Sequence, residues 1–277
     1  MRITSFFKLA LMAVFFTALT TSMTSCSDDD DDDNGGGGTT TSLFVPDKIT
    51  IDDEGSISSY TISYDDKLRI TGIEEKYNDS DYSHKLEYDA EGRISKLTYS
   101  WDTNIETYTY TYANNTVTVL IKEGEIEGTR VYTLNSNGLP TSSVYSDEYN
   151  DEKKITYKYD DKGRVIQRIG EDENVSPYYI TYNEEVISIG KNINVPSLMA
   201  ISLSLEEMDD SVISLLLYND KSVAKTEYSY HSIKEIDTYT YKVNSNGYPE
   251  SYKLVNSSNG EESVEYTASI TYKEIKK

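Results

Sequence analysis

The chain has 277 residues, a formal net charge of −22 and one cysteine. So acidic a body repels phosphate backbones, which excludes nucleic acid as a partner, and a single thiol excludes an internal disulfide. Tyrosine outweighs the other aromatics, with 26 Tyr against 5 Phe and 1 Trp. Such a ring with a polar tip suits strands whose faces are partly wet.

Met1 to Ser25 reads as an export signal, with Arg2 and Lys8 before an apolar run from Leu9 to Leu19. That run is too short to span a bilayer stably as a helix. It ends in Met23-Thr24-Ser25-Cys26, and the lone Cys26 at that place resembles a bacterial lipobox. The resemblance implies that Cys26 is acylated and becomes the mature N-terminus. The protein would then be held on a membrane without a spanning helix.

Residues 26 to 45 read as a disordered tether: Ser27, six aspartates from Asp28 to Asp33, four glycines and a Thr/Ser run. Like charges repel, and the Gly/Thr tract has nothing to pack into a core. Cys26-Ser27-Asp28-Asp29-Asp30 is similar to the surface-export signal of Bacteroidota lipoproteins. That likeness implies a lipid-anchored outer-membrane protein exposed on the cell surface.

Residues 46 to 277 have the length of one all-β domain with a real core. In Lys154 to Ile169, Ile155, Tyr157 and Tyr159 alternate with polar residues. Asp160-Asp161-Lys162-Gly163 then makes a turn, and a second extended run follows. Turns of this kind recur at Gly55, Gly92, Gly138 and Gly247. Degenerate copies stand at Tyr64-Asp65-Asp66-Lys67, Tyr112-Ala113-Asn114-Asn115 and Tyr182-Asn183-Glu184-Glu185. From Lys67 to Glu185 the spacing is about 22 to 25 residues, one two-stranded unit per repeat. The expected fold is an antiparallel meander of hairpins curled into a barrel or a half-barrel, with more variable and polar connections, such as Glu123 to Gly128 and Tyr145 to Lys153, at the end away from these turns.

Tyr88-Asp89-Ala90-Glu91-Gly92-Arg93-Ile94 and Tyr159-Asp160-Asp161-Lys162-Gly163-Arg164-Val165 resemble the tyrosine–aspartate repeats of large secreted shell proteins. Leader, Tyr-rich repeats and one insertion together resemble a family of Bacteroidota lipoproteins described as a domain of unknown function with a porin-like fold. That resemblance implies a fold and no activity.

The period breaks from Asn192 to Tyr218. Pro196 suits a first helical residue, and Leu198, Ile201, Leu205 and Met208 fall at helical spacing, so a short helical insert is expected near 194–218. A strand over 211–218 is the competing reading. An apolar insert of this kind would cover the concave face of the sheet or plug an open end of a barrel.

No catalytic set, metal cluster or phosphate cradle stands out, and no cofactor is expected. Acidic pairs in the turns are hairpin chemistry, and His84 and His231 have no local ligand partners and are expected on polar faces. Tyr99 and Trp101, ahead of the polar loop Asp102-Thr103-Asn104, are the ligand-binding candidates, as half-exposed rings on which a neutral glycan stacks. The expected function is a non-catalytic binding protein for a glycan or another envelope component. The alternative is a carrier of an apolar ligand held between curved sheet and insert.

Overall fold

The computed structural model describes residues 42–78, 80–148, 152–171, 176–195 and 220–276. Cys26, Ser27, Asp28, Asp29 and Asp30, with the rest of the leader, lie outside the described residues, as does most of the expected helical insert. Asn194 and Val195, at its start, are not helical.

Sixteen antiparallel strands close into one barrel in which every strand pairs with its neighbours in sequence and β1 pairs with β16. The early strands are β1 (Ser42–Asp53), β2 (Ser56–Tyr64), β3 (Ile70–Tyr77), β4 (Ser80–Tyr88), β5 (Ile94–Trp101), β6 (Asn104–Ala113), β7 (Thr116–Glu123) and β8 (Ile126–Leu134). There follow β9 (Pro140–Asp147), β10 (Lys153–Tyr159), β11 (Val165–Gly170), β12 (Tyr178–Ile187), β13 (Lys221–Tyr230), β14 (Ile233–Val243), β15 (Pro249–Ser258) and β16 (Glu261–Lys276). The meander is therefore a full barrel and not a half-barrel. β1 begins at Ser42, so the last four residues assigned to the tether are already strand.

Closure fixes which face each residue takes. One row across β4 to β7 reads Leu86, Leu97, Tyr108 and Ile121, and all four side chains are buried inside the barrel. The neighbouring row reads Lys85, Thr98, Thr107, Lys122 and Glu127 on the outside, with Lys122 and Glu127 ion-paired at 2.7 Å. The pattern is apolar in and polar out, the reverse of a transmembrane barrel. Each outward lysine at mid-bilayer would cost about 2–4 kcal/mol, so this wall belongs in water.

The end that carries the Asp/Asn turns, here the lower end, is built from one repeated device. In the turns led by Asp65, Asp89, Asn135, Asp160 and Asn244, the lead residue's Oδ1 accepts the N–H four residues on. The fourth turn position takes a positive φ, at Gly92, Gly138, Gly163 and Gly247 as expected. In the copy at Tyr64-Asp65-Asp66-Lys67, which has no glycine, Leu68 adopts φ 61° and keeps the same backbone bond, whereas the copy at Tyr112-Ala113-Asn114-Asn115 is a two-residue loop with Asn114 at φ 52°. The copy at Tyr182-Asn183-Glu184-Glu185 is not a turn. It lies inside β12, where the register with β13 skips between Tyr182 and Ile187.

A tyrosine near each lower turn then staples its own hairpin. The hydroxyls of Tyr64, Tyr88, Tyr112, Tyr159, Tyr182, Tyr241 and Tyr272 donate to the carbonyls of Pro46, Ile70, Ile94, Pro140, Val165, Val223 and Pro249. Among the described residues the β7–β8 hairpin, with Leu134 at the corresponding place, shows no staple of this kind. The segment after β12 crosses this end. Asn192 donates to the Phe44 carbonyl and the Tyr248 hydroxyl, Asn194 N–H donates to Leu68, and Ile189, Ile193 and Val195 enter the core.

At the opposite end several of the turns are tight. Glu54-Gly55, Asp102-Thr103, Gly124-Glu125, His231-Ser232 and Asn259-Gly260 are two-residue hairpin loops with positive φ at one or both positions. Glu123 to Gly128, expected to be a variable polar connection, contains such a loop between the ends of β7 and β8. Gly55 belongs to this end, so its likeness to the lower-end repeats is one of composition.

Candidate functional site

The end with the two-residue turns, the barrel mouth, differs from the rest of the surface in two ways. First, Ile57, Ile105, Ile126, Ile233 and Val264 stand exposed close to its turns, Ile105 at 58%. Second, the inner wall just below carries stacked aromatic rings. β1 enters at the other end, so residues before Ser42 attach away from the mouth.

Tyr99 and Trp101 face inward on β5 and are half-buried, with ring centroids 4.7 Å apart and planes at 28°. Their cross-strand partners on β4 are His84 and Tyr82. His84 stacks on Tyr99 at 4.5 Å and 11°, and Tyr82 lies 6.4 Å from Tyr99, nearly parallel. The result is a continuous slab of four rings, deepest at His84. Alternation builds it, since residues two apart on paired strands share a face.

Polar groups border the slab. Glu75 pairs with Tyr82 and accepts from the Tyr60 hydroxyl at 3.0 Å. Glu106 pairs with Tyr99, and Asn104 with Trp101. Burial raises the Glu106 carboxyl above its ordinary range, and Glu123 adds to the rise, while a Tyr108 hydrogen bond and Arg130 oppose it. Rings flanked by acceptors and an amide can pack the C–H face of a sugar while bonding its hydroxyls.

His84 corrects the expectation of a polar-face histidine. It is buried, its Nδ1 has no hydrogen-bond partner, and burial lowers its pKa to about 3, so it is a neutral ring in the slab. His231, in contrast, sits in an exposed turn.

Sequence reasoning missed the inward arginines. Arg130 on β8 and Arg168 on β11 are buried on the inner wall, with Arg130 over the Tyr145 ring at 5.0 Å. Burial lowers the Arg168 pKa to about 10, which leaves it protonated. Gly128 makes room for Tyr145, since a Cβ there would lie 2.7 Å from its hydroxyl. An arginine in an alternating strand reads as outward; Arg130 shares the phase of buried Tyr132, whereas Arg168 turns inward through the register shift opposite Lys158 and Tyr159, which no local signal announces.

The fold and polarity define a water-facing barrel with an aromatic, partly polar mouth. Among solved structures it is similar to a porin-like protein from Bacteroides uniformis, at 16% identity, 82% coverage of this chain, 98% of that chain and a TM-score of 0.42. A porin-like protein from Bacteroides vulgatus is similar at 11% identity, 83% and 99% coverage and a TM-score of 0.41. No protein-family model and no curated protein matches the chain.

Proposed function

We propose that this protein is a non-catalytic lipoprotein, anchored in the outer membrane through acylated Cys26 and displayed on the cell surface, whose barrel mouth binds a neutral glycan. The observation that supports this most is the reversed polarity of the barrel. A wall of Lys, Thr, Ser and Glu has no place in hydrocarbon, so membrane attachment needs a separate anchor. Cys26 and the acidic run after it supply one, and the entry of β1 opposite the mouth leaves the aromatic slab pointing away from the tether.

The slab favours a glycan over the apolar-carrier alternative. Its Tyr82, Tyr99 and Trp101 rings are half-exposed and bordered by Glu75, Asn104 and Glu106, whereas the lower interior is occupied by packed side chains such as Ile49, Ile70, Ile94 and Val119. The net charge of −22 disfavours anionic polysaccharides.

The test is Tyr99→Ala with Trp101→Ala, assayed by polysaccharide pull-down and thermal melting together. Binding lost at a near-parental melting temperature supports the reading. Lost stability in a parent that retains no polysaccharide assigns the rings to the core. For the anchor, Cys26→Ala abolishes lipidation, and Asp28 to Asp33 replaced by Asn leaves the protein shielded from protease added to intact cells. Digestion of that Asn variant from outside would contradict surface export by the acidic run.

A further inference from the structure

A second aromatic stack stands on the wall opposite the first. Tyr178 on β12 and Tyr228 on β13 are stacked at 5.4 Å with planes at 14°, and both are half-buried. Tyr228 lies three residues before the β13–β14 turn and Tyr178 opens β12, so both are at the mouth end. In the closed ring, β12 and β13 are eight strands from β4 and β5, halfway round.

The second stack also has its polar border, and that border is held in place. Glu235 pairs with Tyr228 and accepts from the Ser258 hydroxyl at 2.6 Å. Asp237 accepts from Thr226 at 3.1 Å and from Asn256 at 2.8 Å, one donor on each carboxylate oxygen. Fixed acceptors beside a flat pair of rings repeat the chemistry of the Tyr99–Trp101 side, on strands unrelated to it by adjacency.

We infer that Tyr178 and Tyr228, with Glu235 and Asp237, form a second sugar-stacking subsite, so that the mouth is a two-walled clamp for an extended neutral glycan. The inference rests on the glycan reading above. It adds a ligand length: a chain long enough to meet both walls gains over a disaccharide that meets one.

Trp101 is the only tryptophan in the chain, so its fluorescence reports the first wall alone. The experiment titrates the full-length protein with hexaoses and disaccharides of β-1,4-glucan, α-1,4-glucan, β-1,4-xylan and α-mannan, reading Trp101 emission and heat. Tyr228→Leu keeps the volume but removes the flat ring, and Glu235→Gln tests the border without touching the stack. The clamp predicts a hexaose that binds more tightly than its disaccharide and weakens roughly tenfold in Tyr228→Leu, with the disaccharide signal at Trp101 unchanged. Glu235→Gln weakens the hexaose in the same sense. Equal hexaose affinity in the parent and both variants, with Trp101 still responding, overturns the second wall and leaves the first standing. No response of the parent to any of these sugars overturns both.

Discussion

Arg164 closes back on Asp160 across the turn between their strands, Nε to Oδ2 at 2.7 Å, and the same guanidinium lies 4.5 Å above the Tyr182 ring. Arg93 does this with Asp89 and Tyr112, and Arg69 with Asp65 and Tyr88. Each of these Tyr-Asp-x-x-Gly/Leu-Arg units therefore couples its own turn to the next hairpin. The aspartate shapes the backbone, the arginine neutralises it, and the face of that arginine packs on the following tyrosine.

The two jobs of the aspartate separate by substitution. Asp160→Asn keeps the Oδ1 acceptor that Asn135 and Asn244 use unaided, and loses the charge and the Oδ2 acceptor that face Arg164. It should cost about 0.5–1 kcal/mol in denaturant unfolding, against about 2 kcal/mol for Asp160→Ala, which also strips the turn of its acceptor. Equal losses would show that the turn bonds contribute little.

The tyrosine staples are independent hydrogen bonds on separate hairpins. Tyr88→Phe and Tyr182→Phe should each lower stability by about 1 kcal/mol. The double variant should lose the sum to within about 0.5 kcal/mol. A loss near zero in both singles would make the hydroxyl bonds incidental to ring packing.

His84 sets a pH dependence whose sign is fixed by its burial. Its folded pKa of about 3 lies below the unfolded value near 6.5. As pH falls below about 6.5 the unfolded chain takes up a proton that the native ring refuses, and stability drops by up to about 1.4 kcal/mol per pH unit. Glu106, raised by burial, acts in the opposite sense, so the comparison is between parent and His84→Phe, which keeps the stack. Melting between pH 7 and 5 should show a steeper fall in the parent. Parallel curves would mean that His84 is protonated in the native state.

The hairpin repeat was legible because Asp or Asn followed by Gly is a local signal, set by the one φ that glycine tolerates best. The copy at Tyr64-Asp65-Asp66-Lys67 was legible from its Tyr and Asp, but nothing local announces that Leu68 takes the place of the glycine at φ 61°. Asn183 raised a false turn. Its side chain does accept the Glu185 N–H, as in a true turn, but the pairing of β12 with β13 carries the chain onward. Tyr99 and Trp101 were readable as a pair, while His84 and Tyr82 join them only through the register of β4 on β5, a non-local fact. Closure, and with it the inward sense of Arg130 and Arg168, depends on β1 meeting β16 at the two ends of the domain.

The most direct measurement concerns the reversed polarity. A chain from Ser42 to Lys277, without leader or lipid, contains the whole barrel. It is purified without detergent and then mixed with phosphatidylethanolamine–phosphatidylglycerol vesicles for flotation. A barrel with its apolar face inside stays monodisperse in buffer and remains in the dense fraction, whereas the acylated full-length protein floats. A strand-rich protein that needs detergent, or that floats without its lipid, would contradict the account.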